Sequence, residues 1–230
     1  MNIRMLRFLE GARSATGLTV IIDVFRAFSV ACYLAGNGAE KILAVARLED
    51  AYLLKGVYPN SLLVGERNGR KAPGFDYGNS PFEIQHADFT GKTIIHTTSA
   101  GTQGLIAAKM ADEIITGSFV NAQAIVNYVA GQHPAEVSLV AMGWNGQTPA
   151  LEDDMCAGYL KDTLLGRPTD FFSIKDRLRG CEAAAKFFDP ACDWAPEDDF
   201  DLCLSLDRFD FVLTTRELEG TPALWLKKTK

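Results

Sequence analysis

The chain has 230 residues, with 23 Lys and Arg against 29 Asp and Glu and a formal charge of -6. Its 47% hydrophobic and 23% charged content and near-zero mean hydropathy exclude wholesale disorder and low-complexity behaviour. The acidic balance and scattered basic residues argue against a nucleic-acid partner, and no apolar run approaches the ~20 residues of a membrane span.

Met1–Glu10 has no uninterrupted apolar centre, so it does not read as a secretory signal, and the expected compartment is the cytoplasm. A chain of this size is expected to bury roughly 70% of its unfolded surface. Cys32, Cys156, Cys181, Cys192 and Cys203 are odd in number and contain no C-x-x-C pair, so they are expected to be free thiols. Lys227, Lys228 and Lys230 read as a solvated basic tail.

Short β-branched runs predict strands at Leu18–Ile22, Ile42–Val45, Leu62–Val64, Thr93–His96, Glu113–Ile115 and Val137–Ala141. Apolar residues recurring at three and four predict helices at Ala27–Ala35, Leu48–Lys55, Thr102–Lys109, Ala122–Val129 and Leu151–Leu165. This alternation predicts an α/β fold with a largely parallel sheet covered by helices on both faces. After Gly166 the pattern changes to Asp-rich, Pro-interrupted segments over 167–209, with a helix expected at Glu182–Phe188 and a last strand at Phe211–Leu213. The whole, residues 1–230, is expected to be one domain, with 167–209 either a small accessory segment or an edge extension.

In open α/β sheets ligands sit outside the carboxyl ends of the strands. The first predicted strand ends in Ile22-Asp23-Val24-Phe25-Arg26-Ala27, where an acid and a base three apart either hold a metal and an anion or pair and cap the helix. Phenylalanine at position 25 excludes the D-x-D of a haloacid-dehalogenase-type phosphatase. The third strand leads into Gly65-Glu66-Arg67-Asn68-Gly69 and then Gly74-Phe75-Asp76-Tyr77-Gly78-Asn79-Ser80-Pro81, a long loop that leaves Glu66, Arg67 and Asp76 as functional candidates. Ser80, Pro81 and Glu83 form a capping box.

The fourth exit, His96-Thr97-Thr98-Ser99-Ala100-Gly101-Thr102, offers hydroxyls and backbone N–H groups at a helix start and reads as an oxyanion cradle. His96 itself reads as a hydrogen-bonded core histidine. In Gly117-Ser118-Phe119-Val120-Asn121, Asn121 is the expected N-cap. The last exit carries Gly143-Trp144-Asn145-Gly146 and then Glu152-Asp153-Asp154, whose acids suit either the helix dipole or a cation. Hard oxygen ligands without a Cys–His cluster suit Mg²⁺. Arg26 and Arg67 suit an oxyanion.

These ordered segments, with Leu206-Asp207-Arg208-Phe209-Asp210 closing the series, resemble the 2-phosphosulfolactate phosphatase family from about Gly17 to Leu213. The resemblance implies a three-layer α/β/α fold and a Mg²⁺-dependent phosphatase that removes phosphate from 2-phospho-3-sulfolactate in coenzyme M biosynthesis. It implies that Asp23, Glu66, Asp76, Glu152 and Asp153 are the catalytic carboxylates, with Asp23, Glu66, Glu152 and Asp153 as metal ligands. Arg26, Arg67, Asn79, Ser99, Gly101 and Thr102 become the site for the small anionic phosphorylated substrate. Phe25 and Phe28 stand where the family usually has leucine and threonine, Ala100 replaces a usual asparagine, and Trp144 is expected to narrow or reshape the pocket. A phosphatase of another small phosphorylated hydroxy acid and a non-catalytic oxyanion-binding protein are the alternatives. A homodimer is the base-rate expectation.

Overall fold

The computed structural model describes residues 1–230. Its first half contains β1 (Asn2–Arg7), α1 (Phe8–Arg13), β2 (Leu18–Ile22), α2 (Ala27–Gly36), β3 (Lys41–Ala44), α3 (Leu48–Val57), β4 (Leu62–Arg67), β5 (Arg70–Lys71), α4 (Pro81–Ile84) and β6 (Thr93–Thr97). The second half adds α5 (Gly101–Ala107), β7 (Glu113–Gly117), α6 (Ala122–Gln132), β8 (Glu136–Ala141), α7 (Leu151–Leu164), α8 (Phe171–Arg179), α9 (Glu182–Phe188), α10 (Asp198–Cys203), β9 (Val212–Glu217) and β10 (Leu224–Thr229). None of these helices is long and apolar enough to cross a membrane.

The strands form one ten-stranded mixed sheet in the order β1-β8-β2-β7-β9-β10-β3-β6-β4-β5, and helices pack on both faces to give three α/β/α layers. All five residues of β2 are buried, as a strand covered on both faces requires. Leu18, Val20 and Ile22 enter one core and Ile21 the other.

β1, β8, β2 and β7 form one parallel block, and β3, β6 and β4 form a second. The β9–β10 hairpin joins them through antiparallel pairings on both sides, so the two blocks run in opposite directions. In a flat sheet their carboxyl ends would lie on opposite edges. Sheets twist by about 20–25° per strand, and over the steps from β2 to β6 this amounts to roughly a right angle or more. The curled sheet encloses α2, whose residues Ala27–Ala35 are all buried, in a core that also takes Ile21 and Val140 from one block and Ile42, Val64 and Ile94 from the other. A helix apolar on every side is stable only in such surroundings.

The basic tail is solvated as expected, but Lys227 and Lys228 extend β10 and pair with β9, while Leu224–Leu226 of the same strand lie between β9 and β3. Leu226 is buried there while the lysines face outward, and the Lys228 ammonium lies 4.2 Å from the centre of the Phe211 ring. His96 is a correction, since both ring nitrogens are buried without a hydrogen-bond partner. Asn121 precedes α6 without a side-chain cap and donates instead to Phe211 O at 3.1 Å. Ser80 caps α4 as expected, accepting from Glu83 N at 3.3 Å, whereas Glu83 reaches back to Gly78 N at 2.7 Å.

Candidate active site

Where the two blocks meet, a cavity of about 630 Å³ opens. Its wall takes Asp23 from the end of β2, Glu66 from β4, Ser99 from the turn after β6, and Glu152 and Asp153 from the first turn of α7. Arg26 and Asn79 also line it. Residues far apart in sequence, from strands running in opposite directions, thus share one recess.

The hydroxyl–glycine turn keeps only part of the donor set that the sequence suggests for an oxyanion. Most of its backbone N–H groups are already occupied by the protein's own acceptors, Ser99 N donating to Glu66 Oε1 at 2.6 Å and Gly101 N to Asp23 Oδ2 at 2.9 Å, which leaves Ala100 N, in the cavity wall, without an acceptor. Thr98 N and Thr102 N are bonded to the Thr102 and Thr98 hydroxyls. The turn is therefore a carboxylate clamp, and Gly101 and Thr102 are absent from the cavity wall. A Cβ at Gly101 would stand 2.9 Å from Asp23 Oδ2 and 3.0 Å from Ala27 Cβ, which explains the glycine.

Asp23 also accepts from Ala27 N at 3.1 Å through Oδ1. Glu66 Oε2 takes Gly69 N at 2.7 Å and the Ser99 hydroxyl at 3.0 Å. Asp153 has both oxygens on backbone donors, Val24 N and Gly143 N, each at 2.8 Å, so it staples the loop after β2 to the loop after β8. Glu152 differs: its Oε2 is buried and has no partner. Burial pushes Asp23, Glu152 and Asp153 above the usual carboxylate range, and the mutual repulsion of neighbouring acids adds to it.

Besides Gly101 and Thr102, two more expected site residues lie outside the cavity wall. Arg67 follows Glu66 on β4, and adjacent strand residues point to opposite faces. Its guanidinium donates to Glu66 O, Ala46 O and the Thr97 hydroxyl at 2.6, 2.9 and 2.8 Å, outside the cavity. Asp76 is exposed and binds Leu63 N at 2.8 Å, at the amino end of β4, so it supports the strand and is removed from the catalytic set.

Arg26 is only 2% exposed and forms a 2.6 Å ion pair with Asp199 of α10. It donates further to Trp194 O at 3.0 Å and Gly69 O at 3.2 Å. The peptide between Phe25 and Arg26 is cis. Asn79, 5% exposed, has a buried Oδ1 without a partner.

Residues 181–199 supply parts that sequence reasoning missed. Lys186 of α9 and Trp194 line the cavity, and Asp199 fixes Arg26 from behind. The Glu182–Phe188 helix is legible in the sequence, but nothing in it tells which face meets the cavity. Asp199 lies in the Asp-rich, Pro-interrupted stretch, where nothing in the sequence singles it out from its acidic neighbours.

No group of three His, Cys, Asp or Glu side chains is gathered closely enough to hold a metal ion on its own, so the expected four-carboxylate chelate is not formed. What fits a hard cation is narrower: the unpartnered Glu152 oxygen in a cavity shared with Asp23. Mg²⁺ commonly takes one or two carboxylates and completes its shell with water and substrate oxygens.

The family model described as 2-phosphosulpholactate phosphatase matches residues 7–217. The chain belongs to the 2-phosphosulfolactate phosphatase family. Among curated proteins it is 40% identical to a probable 2-phosphosulfolactate phosphatase of Carboxydothermus hydrogenoformans over 70% of this chain and 66% of that one. It is 37% identical to one from Caldicellulosiruptor saccharolyticus over 66% and 64%. It is 30% identical to one from Bacillus subtilis over 90% of both chains. The chain thus spans slightly under two thirds of the first two relatives and nine tenths of the third.

Proposed function

We propose that this chain is a cytoplasmic Mg²⁺-dependent phosphatase that hydrolyses the phosphate ester of 2-phospho-3-sulfolactate to sulfolactate and phosphate, a step in coenzyme M biosynthesis. The family match and the relatives' names support the reaction. The observation that carries the chemistry is the unpartnered, buried Oε2 of Glu152 in a cavity also lined by Asp23 and Arg26.

Asp23 and Glu152 would hold the Mg²⁺. Bound there, it would polarise a phosphoryl oxygen and acidify a water. Asp23 is fixed by two backbone donors and Glu66 by three donors, so both present their remaining lone pairs from set positions. Glu66 can orient the attacking water. Three bonds to Asp199, Trp194 and Gly69 leave Arg26 two N–H groups for a phosphoryl oxygen. Asn79 offers its amide to the substrate, and the aromatic rings of Phe25, Trp144 and Trp194 in the cavity wall restrict water.

The test is phosphate release from 2-phospho-3-sulfolactate and a panel of other phosphorylated three-carbon acids. Release from the sulfonated ester, abolished by EDTA and restored by Mg²⁺, is the expected outcome. Release indifferent to EDTA would remove the metal from the reading. Binding of the esters without release of phosphate would favour an oxyanion-binding protein.

A further inference from the structure

The cavity is poor in usable positive charge. Its wall carries Asp23, Glu66, Glu152, Asp153, Asp154 and Glu182 but only Arg26 and Lys186 as basic side chains. Arg26 is neutralised by Asp199 at 2.6 Å. Lys186 forms no ion pair within 4.0 Å, although α9 brings it close enough to Glu152 and Asp23 to feel their charge. Its ammonium makes one hydrogen bond, to Phe25 O at 3.3 Å, which leaves two donors for a ligand. It is surrounded by rings, with Phe187, Trp144 and Phe25 centred 5.1, 5.4 and 5.8 Å from Nζ.

We propose that Lys186 seats the sulfonate of the substrate and sets the preference for sulfonated over plain phosphorylated hydroxy acids. This rests on the phosphatase reading above and adds to it a residue outside the strand-exit motifs. A sulfonate spreads a single charge over three oxygens and is more weakly hydrated than a carboxylate or a phosphate dianion, so it costs less to press against an aromatic wall. Phe25 and Trp144 supply that wall within the cavity, and an ammonium with rotatable donors suits a tetrahedral anion of this kind. The doubly charged phosphate belongs with Arg26 and the carboxylates, where a divalent cation can offset its charge.

The test compares wild type with Lys186→Met and Lys186→Arg on 2-phospho-3-sulfolactate and on 2-phospholactate, which carries a methyl in place of the sulfonatomethyl group. For Lys186→Met, kcat/KM is expected to fall at least about thirtyfold more on the sulfonated ester than on phospholactate, chiefly through KM, with partial recovery in Lys186→Arg. Equal losses on the two esters overturn the assignment. Affinity for 3-sulfolactate against lactate, measured by calorimetry without turnover, separates this inference from the phosphatase reading. If wild type releases no phosphate from either ester, that reading fails, and binding alone then judges Lys186. Selective loss of 3-sulfolactate binding in Lys186→Met supports it. No binding by wild type, or equal binding by wild type and Lys186→Met, overturns it. Unfolding midpoints of both variants close to wild type establish that they fold.

Discussion

Glu152 and Asp153 are neighbours of the same charge with different tasks. Both oxygens of Asp153 accept backbone N–H groups, whereas Glu152 keeps one buried oxygen unpaired. Glu152→Gln is therefore expected to lower phosphate release at least about a hundredfold while keeping or raising the unfolding midpoint, because it removes a buried charge. Asp153→Asn sets an amide N–H against a backbone N–H and is expected to cost about 1–3 kcal/mol in urea unfolding. Equal effects of the two changes on activity and stability would contradict this division. His96 gives a pH prediction: burial, aided by Arg67, lowers its pKa to about 4. The unfolded chain binds a proton near 6.5 and the folded chain only near 4, so the histidine's contribution is intact above 6.5 and is lost as pH falls toward 4. His96→Leu is expected to gain about 2 kcal/mol relative to wild type between pH 7.5 and pH 5, read from paired urea titrations.

At the level of elements, the wall over the cavity is held by ring contacts of Phe25 with Phe187 and Phe200 and by a buried ion pair. Asp199 is 0% exposed and binds Arg26, the Ser80 hydroxyl and Phe82 N. It ties α10 to α4 and to the loop after β2. Asp199→Ala is expected to cost about 3–5 kcal/mol, because it leaves a guanidinium buried without its partner. The double variant Arg26→Met with Asp199→Leu is expected to recover part of that stability while phosphate release stays low. Full activity in the double variant would remove Arg26 from the substrate site. Gly69 has φ +84°, and a Cβ there would stand 2.4 Å from the Trp194 ring; Gly69→Ala is expected to push this wall outward and lower activity.

For the whole molecule, the interior position of β10 matters most. It bridges β9 and β3, and through them the two blocks whose carboxyl ends form the cavity. Ending the chain after Pro222 is expected to leave two unpaired strand edges and abolish soluble, cooperatively folding protein, as judged by circular dichroism and urea unfolding. A truncated chain with a wild-type unfolding curve would show that the blocks hold together without it.

The sequence alone determined the elements with strong periodicity. β2, α7 and α9 lie where apolar spacing predicts them, and the motifs ending β2, β4 and β6 identify Asp23, Glu66 and Ser99 by their positions after strands. Such signals are local, so they survive in one dimension. It left β1, α1, β5, α8 and α10 undetected and missed that Leu224–Leu226, just before the exposed lysines, lie between β9 and β3, because pairing with distant strands, not local pattern, decides that so short an apolar run becomes an interior strand. Only the tertiary structure decided that Arg67 turns away while Arg26 stays, that two N–H groups of the expected oxyanion cradle, those of Ser99 and Gly101, clamp carboxylates, and that Lys186 completes the cavity. Each depends on which backbone groups and charges the curling of the sheet brings within hydrogen-bond reach, and that is a property of the closed fold.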